Sequence, residues 1–192
     1  RTLVRWNPFI AGAIVFSLFQ LFTWLPVSTW LDSAVGSGLP SGLPAFLWLL
    51  TMAFAGTLLA ESGRLWGFQV LFRRSGEGLD WQNGVMYGLG HGGVESMLLI
   101  AGLTFLYLLA YVAVSLIGVD AIVASLGGTP SAAFSEALQG IADTTWTQPM
   151  VVAFERVLGL VHQVAWSLLV MESLVTRQKR WFAYAVLYHG SV

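Results

Sequence analysis

Residues 44–72 read PAFLWLLTMAFAGTLLAESGRLWGFQVLF, and this stretch decides the class of fold. It exceeds the about 20 residues that cross a bilayer as a helix, and its only ionisable side chains are those of Glu61 and Arg64. A charged side chain at the centre of a bilayer costs about 2.5–3.5 kcal/mol. Such residues therefore normally face the interior of a helix bundle and serve a function there.

The whole sequence has the composition of an integral membrane protein. Of its 192 residues, 56% are hydrophobic and only 10% are charged, whereas a soluble domain carries about 25% charged residues. There is no Cys, which excludes disulfides and thiolate metal ligands. The net charge of −1 gives no sign of nucleic-acid binding. We therefore expect an all-α, polytopic transmembrane helix bundle with no nucleic-acid partner.

About five spans are predicted, within one transmembrane domain over residues 1–192. They cover residues 8–31, 44–72, 84–118 and 148–175, and the fifth begins at Trp181. A short surface helix is predicted near residues 132–141. Because Arg1 is not an initiator Met and Val192 falls in an apolar stretch, we expect this to be a piece of a longer protein, truncated at both ends.

The distribution of basic residues predicts the orientation of these spans. Loops 32–43 and 119–147 contain no Lys or Arg, while seven basic residues flank the opposite ends of the spans. The seven are Arg1, Arg5, Arg73, Arg74, Arg177, Lys179 and Arg180. Cytoplasmic loops carry the excess of Lys and Arg. The first residue and loop 73–83 are therefore predicted to be cytoplasmic and the other two loops extracytoplasmic, in a bacterial cytoplasmic membrane.

Glycines at intervals of four residues predict closely packed helices. Gly84, Gly88 and Gly92 lie on one stripe of the third predicted span, and Gly63 and Gly67 lie on one stripe of the second. Small residues at this spacing let two helix backbones approach each other in lipid.

Six ionisable residues from four predicted spans fall at similar depths. They are Glu61, Arg64, His91, Glu95, His162 and His189. A rise of about 1.5 Å per residue places them about 10–22 Å from the cytoplasmic ends of their spans. Glu61 and Arg64 are three residues apart and His91 and Glu95 four apart, so each pair shares a helix face. We therefore predict one polar, water-accessible site in the cytoplasmic half of the bilayer.

Carboxylates, a guanidinium and imidazoles together suit proton-transfer chemistry. A carboxylate balanced by a guanidinium can act as a general base, and imidazoles can shuttle the proton or donate to an oxyanion. Structural interpretations also exist: a buried Glu61–Arg64 ion pair, an intrahelical His91–Glu95 hydrogen bond, and packing roles for the remaining histidines. The shared depth favours the functional interpretation.

Four segments in order resemble one known family. They are Ala60-Glu-Ser-Gly-Arg64, Tyr87-Gly-Leu-Gly-His-Gly-Gly-Val-Glu95, Phe154-Glu-Arg156 with His162, and Leu187-Tyr-His189. Together they resemble the successive motifs of the YhfC-type intramembrane peptidases, which are related to the CAAX-protease and bacteriocin-processing superfamily. The resemblance covers nearly the whole sequence.

The resemblance implies a set of catalytic roles. Glu61 would activate the water and Arg64 would position it. His91 and His162 would stabilise the oxyanion, with Glu95 supporting His91 and His189 as a further site residue. The sequence departs from the family at Ala60, where the family typically has the first Glu of a pair. If that missing carboxylate is the base, this is a silent relative, whereas activity survives if Glu61 is the base.

The sequence is compatible with several hypotheses about the function of the site. The first is a metal-independent endopeptidase that needs no cofactor and acts on a peptide or membrane protein among lipids. In a zinc version, the four N/O ligands would be His91, Glu95, His162 and His189; with no HExxH helix in the sequence, this version ranks lower. The alternative is a catalytically silent subunit of a larger membrane complex, or one that contacts haem or chlorophyll. A transporter ranks third.

Overall fold

Helices account for nearly all of the protein that the structure describes. The structure, a computed structural model, describes residues 5–125 and 131–192, and these ranges contain seven helices and no strand. The helices are α1 (Trp6–Gly38), α2 (Leu43–Ser75), α3 (Trp81–Ile117), α4 (Val119–Ser125), α5 (Ala132–Ala142), α6 (Thr147–Val175) and α7 (Lys179–Gly190).

Four of these helices, α1, α2, α3 and α6, are long and apolar enough to cross a membrane. The expected all-α, polytopic bundle is therefore confirmed. The fifth predicted span corresponds to α7, which begins at Lys179, two residues before the predicted Trp181, and continues to Gly190.

Some elements differ from the prediction in their ends, and one was not predicted. Helix α1 continues past Asp32, whose carboxylate accepts a hydrogen bond from Trp48 Nε1 at 3.0 Å, and ends in a 3₁₀ turn at Gly36–Gly38. The predicted surface helix is confirmed as α5, but α4 was not predicted. Arg1 and residues 126–130 of the predicted 119–147 loop lie outside the described residues.

The described residues form two compact units. One comprises the residues up to Glu95 together with Leu158–Val192, and the other comprises Ser96–Val157. Within the second unit, Tyr107 and Thr144 share a hydrogen bond of 2.5 Å between their hydroxyl groups. All six predicted site residues belong to the first unit. Its apolar core consists of Ala11, Val15, Phe68, Phe72, Tyr87, Val170, Met171 and Ala185.

Glycines on α3 bring its backbone against two neighbouring helices. A Cβ at Gly90 would overlap the backbone of Phe9 on α1, and a Cβ at Gly12 would overlap the backbone of Tyr87. On another side of α3, a Cβ at Gly88 would lie 2.6 Å from the Cα of Val164 on α6. The close packing predicted for the Gly84, Gly88 and Gly92 stripe is confirmed. We call Gly12, Gly84, Gly88, Gly90 and Gly92 the glycine seam.

A short polar turn connects α2 to α3. Gly76 adopts a left-handed conformation with φ of 69°, which glycine tolerates at a helix C-terminus. Asp80 caps α3 by accepting a hydrogen bond from the backbone N–H of Asn83 at 2.9 Å. Glu77 accepts hydrogen bonds from Arg5 at 3.0 Å and Asn7 at 3.1 Å. The turn thereby fixes the relative positions of α1, α2 and α3, two of which carry predicted site residues.

Candidate functional site

Glu61 and Arg64 are fully buried on the same face of α2. Both side chains have no exposed surface, and Arg64 Nη1 donates to Glu61 Oε1. The same oxygen, Oε1, lies 2.6 Å from His189 Nδ1 on α7. An ionised carboxylate only accepts hydrogen bonds, so the imidazole donates in this pair. Glu61 is therefore held from two helices through one of its two carboxylate oxygens.

Arg64 is also connected to two further helices, α6 and α3, through Gln163. Its Nη2 donates to the side-chain oxygen of Gln163 on α6. The side-chain nitrogen of Gln163 in turn donates to Glu95 Oε2 on α3 at 2.5 Å. We call Glu95, Gln163, Arg64, Glu61 and His189 the polar network. It joins α2, α3, α6 and α7 at one place inside the first unit.

Several polar atoms around the polar network are buried without a hydrogen-bond partner among the described residues. They include Glu61 Oε2, Arg64 Nε, Tyr87 Oη, His91 Nδ1 and Trp166 Nε1. A buried group of this kind costs about 1–3 kcal/mol if it stays unsatisfied. Clustering of such groups is typical of a functional site, where a ligand or water completes the hydrogen bonds.

Aromatic rings pack against the part of the network formed by His189 and Arg64. The His189 ring stacks on Trp166 with 3.7 Å between centroids, and the Arg64 guanidinium lies 5.7 Å from the centroid of the same indole. His162 also stacks on Trp166, at 5.6 Å, and meets Tyr188 edge-on at 5.7 Å. Trp166 thus connects His162 to the network through ring contacts, without a hydrogen bond between His162 and Glu61 in the described part.

His91 occupies a different position, towards the packed core. Only 1% of its surface is exposed, and its ring meets Phe16 edge-on at 5.2 Å between centroids. Its ring centroid also lies 6.4 Å from that of Tyr87. No hydrogen bond joins His91 to Glu95 in the described structure, although both stand on α3 four residues apart. Glu95 instead reaches towards α6, where it accepts from Gln163.

The structure therefore sorts the six predicted residues into two groups. Glu61, Arg64, Glu95 and His189 belong to the polar network. His162 is linked to it through the Trp166 ring, whereas the ring neighbours of His91 are Phe16 and Tyr87. Gln163 was not singled out from the sequence, because an uncharged amide does not stand out in an apolar span. Its position next to His162, one residue further along a helix with several motif residues, was the only available signal.

The profile of a known family matches this sequence from end to end. The family is described as YhfC intramembrane metalloprotease, and the match covers residues 1–192. The protein belongs to the YhfC intramembrane metalloprotease family. No curated protein sequence and no solved structure matches it. Membership in the YhfC family, together with four apolar helices of sufficient length, identifies an integral membrane protein.

The name of the YhfC family implies a metal ion, which would need a set of protein ligands at the site. A catalytic zinc is held by three protein ligands and a water. Within residues 5–125 and 131–192, no three His, Asp or Glu side chains are arranged to hold a metal ion. Glu61 and His189 face each other, but Arg64 donates to the same oxygen, Oε1. The positive charge of the Arg64 guanidinium, bound to this oxygen, repels a metal cation that would need the oxygen as a ligand.

The four ligands considered for a zinc version are not brought together. His91 faces Phe16, Glu95 accepts from Gln163, His162 stacks on Trp166, and His189 contacts Glu61. The residues in this arrangement do not fit a metal, and we derive no step through one.

Proposed function

We propose that this protein is a glutamate-type intramembrane endopeptidase, in which Glu61 activates a water molecule for attack on a peptide bond. One observation carries the proposal: Glu61 Oε1 is occupied by Arg64 and His189, while Oε2 is buried and without a partner among the described residues. A carboxylate held rigidly by one oxygen presents the other in a fixed direction. That is the requirement for a general base.

The reaction would proceed by direct attack of water. Glu61 Oε2 takes one proton as the water oxygen forms a bond to the carbonyl carbon, and the carbonyl oxygen becomes negatively charged. The proton then passes to the amide nitrogen as the C–N bond breaks, which leaves a new carboxylic acid and a new amine; the acid afterwards loses its proton to water. Arg64 orients Glu61 through Oε1, and His189 fixes the same oxygen from α7.

The oxyanion would be stabilised by His91. Its Nδ1 is buried without a partner among the described residues, and a preorganised donor aimed at developing charge is worth about 100- to 1,000-fold in rate. The predicted oxyanion role of His162 stays a prediction. Its ring contacts with Trp166 and Tyr188 favour a role in supporting the indole on which His189 stacks.

The substrate would be a peptide or membrane protein that enters from the lipid, and the site would open to the cytoplasm. The positive-inside distribution of basic residues supports this orientation, with loop 73–83 cytoplasmic and loops 32–43 and 119–147 outside. We propose a bacterial cytoplasmic membrane as its location.

The proposal is tested with purified protein in liposomes and a pool of fluorogenic peptides, each carrying one apolar span. Glu61→Gln removes the base but keeps the shape of the side chain, so cleavage should fall by at least about 1,000-fold in protein that circular dichroism shows to be folded, even though the buried Arg64 guanidinium loses its counter-charge. Glu172→Gln, also on a long apolar helix of the first unit, is the matched control and should cleave like the wild type. Equal rates for wild type and Glu61→Gln would remove Glu61 from the mechanism.

A catalytically silent subunit of a larger membrane complex is the second candidate, and Ala60 favours it. Ala60 is buried, with 2% of its surface exposed, at the position where the family typically has a carboxylate. This candidate predicts no cleavage by the wild type and co-purification with other membrane subunits in fixed stoichiometry. An absorbance spectrum of the purified protein would reveal haem or chlorophyll.

A further inference from the structure

We propose that Gln163 and Glu95 form a positioning pair that fixes the guanidinium of Arg64 against Glu61. Neither Gln163 nor Glu95 has a hydrogen bond to Glu61 among the described residues, so the pair acts through Arg64. The consequence for catalysis rests on the proposed role of Glu61, whereas the positioning of Arg64 can be measured independently.

The orientation of the Gln163 amide follows from its two partners. An amide has one accepting end and one donating end. The accepting end faces Arg64, which only donates, and the donating end faces the Glu95 carboxylate, which only accepts. The reversed amide would place two donors together at Arg64 and two acceptors together at Glu95. Glu95 therefore determines which end of Gln163 meets the guanidinium.

Packing keeps Gln163 in this position. The residue is 7% exposed, and its backbone oxygen accepts a hydrogen bond from Ser167 at 2.8 Å. A Cβ at Gly92 would lie 2.7 Å from the Gln163 Cγ, so the absence of a side chain at Gly92 makes the room that Gln163 occupies. The glycine seam thus leaves space for the Gln163 side chain between α3 and α6.

The guanidinium of Arg64 is held at two points by this arrangement. Nη1 is bound to Glu61 and Nη2 to Gln163, while Nε has no partner among the described residues. Removal of the second point leaves the guanidinium free to turn away from Glu61. The base would then lose its orientation without losing any group that contacts it directly.

An exchange of the two side chains tests the pair with little change of volume. Gln163→Glu alone places two carboxylates face to face, and Glu95→Gln alone leaves the pair without its anion. The double exchange, Gln163→Glu with Glu95→Gln, restores one carboxylate, one amide and the net charge, with the carboxylate now on Arg64. We expect kcat to fall about 10- to 100-fold in each single variant with little change in KM, and to recover to within about threefold of the wild type in the double variant.

Arginine-selective ¹⁵N labelling gives a readout that needs no activity. A guanidinium held at both Nη atoms rotates slowly and shows separate Nη–H signals, which Arg64→Lys identifies by their loss. These signals should be separate in the wild type and the double exchange, and averaged in Gln163→Met. Gln20→Met is the matched control, because the Gln20 amide donates to a backbone oxygen, that of Gly56, at 3.3 Å.

The outcomes separate the two proposals. Averaged Arg64 signals in Gln163→Met, restored in the double exchange, support the positioning pair even if no peptide is cleaved, in which case only the proposed peptidase function fails. Separate Arg64 signals in Gln163→Met would overturn the positioning pair. A double exchange that is as impaired as the single variants, in kcat and in the Arg64 signals, would overturn it as well.

Discussion

The glycine seam and the polar network lie within the same unit, yet they use opposite means to join helices. In the seam, Gly12 and Gly90 bring α1 and α3 together because they have no side chains. In the network, long side chains from α2, α3, α6 and α7 meet and exchange hydrogen bonds. Both should therefore contribute to the stability of the fold, but only the network should govern what the folded protein does.

The largest expected effect comes from breaking the buried ion pair of the network. Arg64→Met leaves the Glu61 carboxylate buried without its counter-charge, which typically costs about 3–5 kcal/mol. Thermal unfolding in detergent should show this loss. The double variant Arg64→Met/Glu61→Gln should regain part of the stability, because no isolated charge remains; a double variant as unstable as Arg64→Met would contradict the pairing.

His189 and His162 both stack on Trp166, but only His189 has a hydrogen bond to Glu61 among the described residues. His189→Phe keeps a ring to stack on Trp166 but removes the hydrogen bond to Glu61, so kcat/KM should fall about 100-fold. His162→Phe keeps the stacking and removes no hydrogen bond to Glu61, so its effect should stay below about tenfold. A loss of equal size in both variants, measured with the fluorogenic peptides, would instead favour the oxyanion role predicted for His162.

A single methyl group in the seam should affect stability with no direct effect on the network. Gly90→Ala places a Cβ into the backbone of Phe9, and overpacking of this kind costs about 1–3 kcal/mol. Gly93→Ala is the matched control on the same helix, since its Cβ would meet the Phe9 ring at an ordinary 3.7 Å. Equal unfolding temperatures for the two variants would show that α1 and α3 are not packed this closely.

The smallest expected effect is that of a chelator. Because the guanidinium of Arg64 occupies the oxygen of Glu61 that faces His189, treatment with 1,10-phenanthroline should leave the cleavage rate unchanged. Elemental analysis of the purified protein provides the control for metal content. Loss of activity on chelation, with recovery on addition of zinc, would show that the YhfC family name describes this site better than the arrangement of its residues does.

The sequence was sufficient to predict the helical class, most spans and the Glu61–Arg64 pair. A spacing of three residues on one helix fixes that pair locally, and the charge deficit of the sequence determines the class. The same reasoning failed to predict the partner of Glu95, because spacing along α3 does not say which neighbouring helix a side chain faces. A π-helical segment that begins at Glu95 also changes the direction of the residues that follow.

Two features of the site depend on tertiary contacts that the sequence does not encode locally. Gln163 is an uncharged residue in an apolar helix, and only its position between Arg64 and Glu95 gives it significance. Trp166 was likewise not selected, although it contacts Arg64, His162 and His189. Gln163 and Trp166 both lie within five residues of His162. The motif on α6 therefore indicated the correct segment of the helix, but only His162 was selected from that segment.

The most direct test of the central claim is peptide cleavage in ¹⁸O-labelled water by the wild type and Glu61→Gln, with the fragments analysed by mass spectrometry. Activation of water by Glu61 predicts one labelled oxygen in the new carboxylate of the wild-type product and no product from the variant. Labelled product formed by Glu61→Gln at the wild-type rate would contradict it.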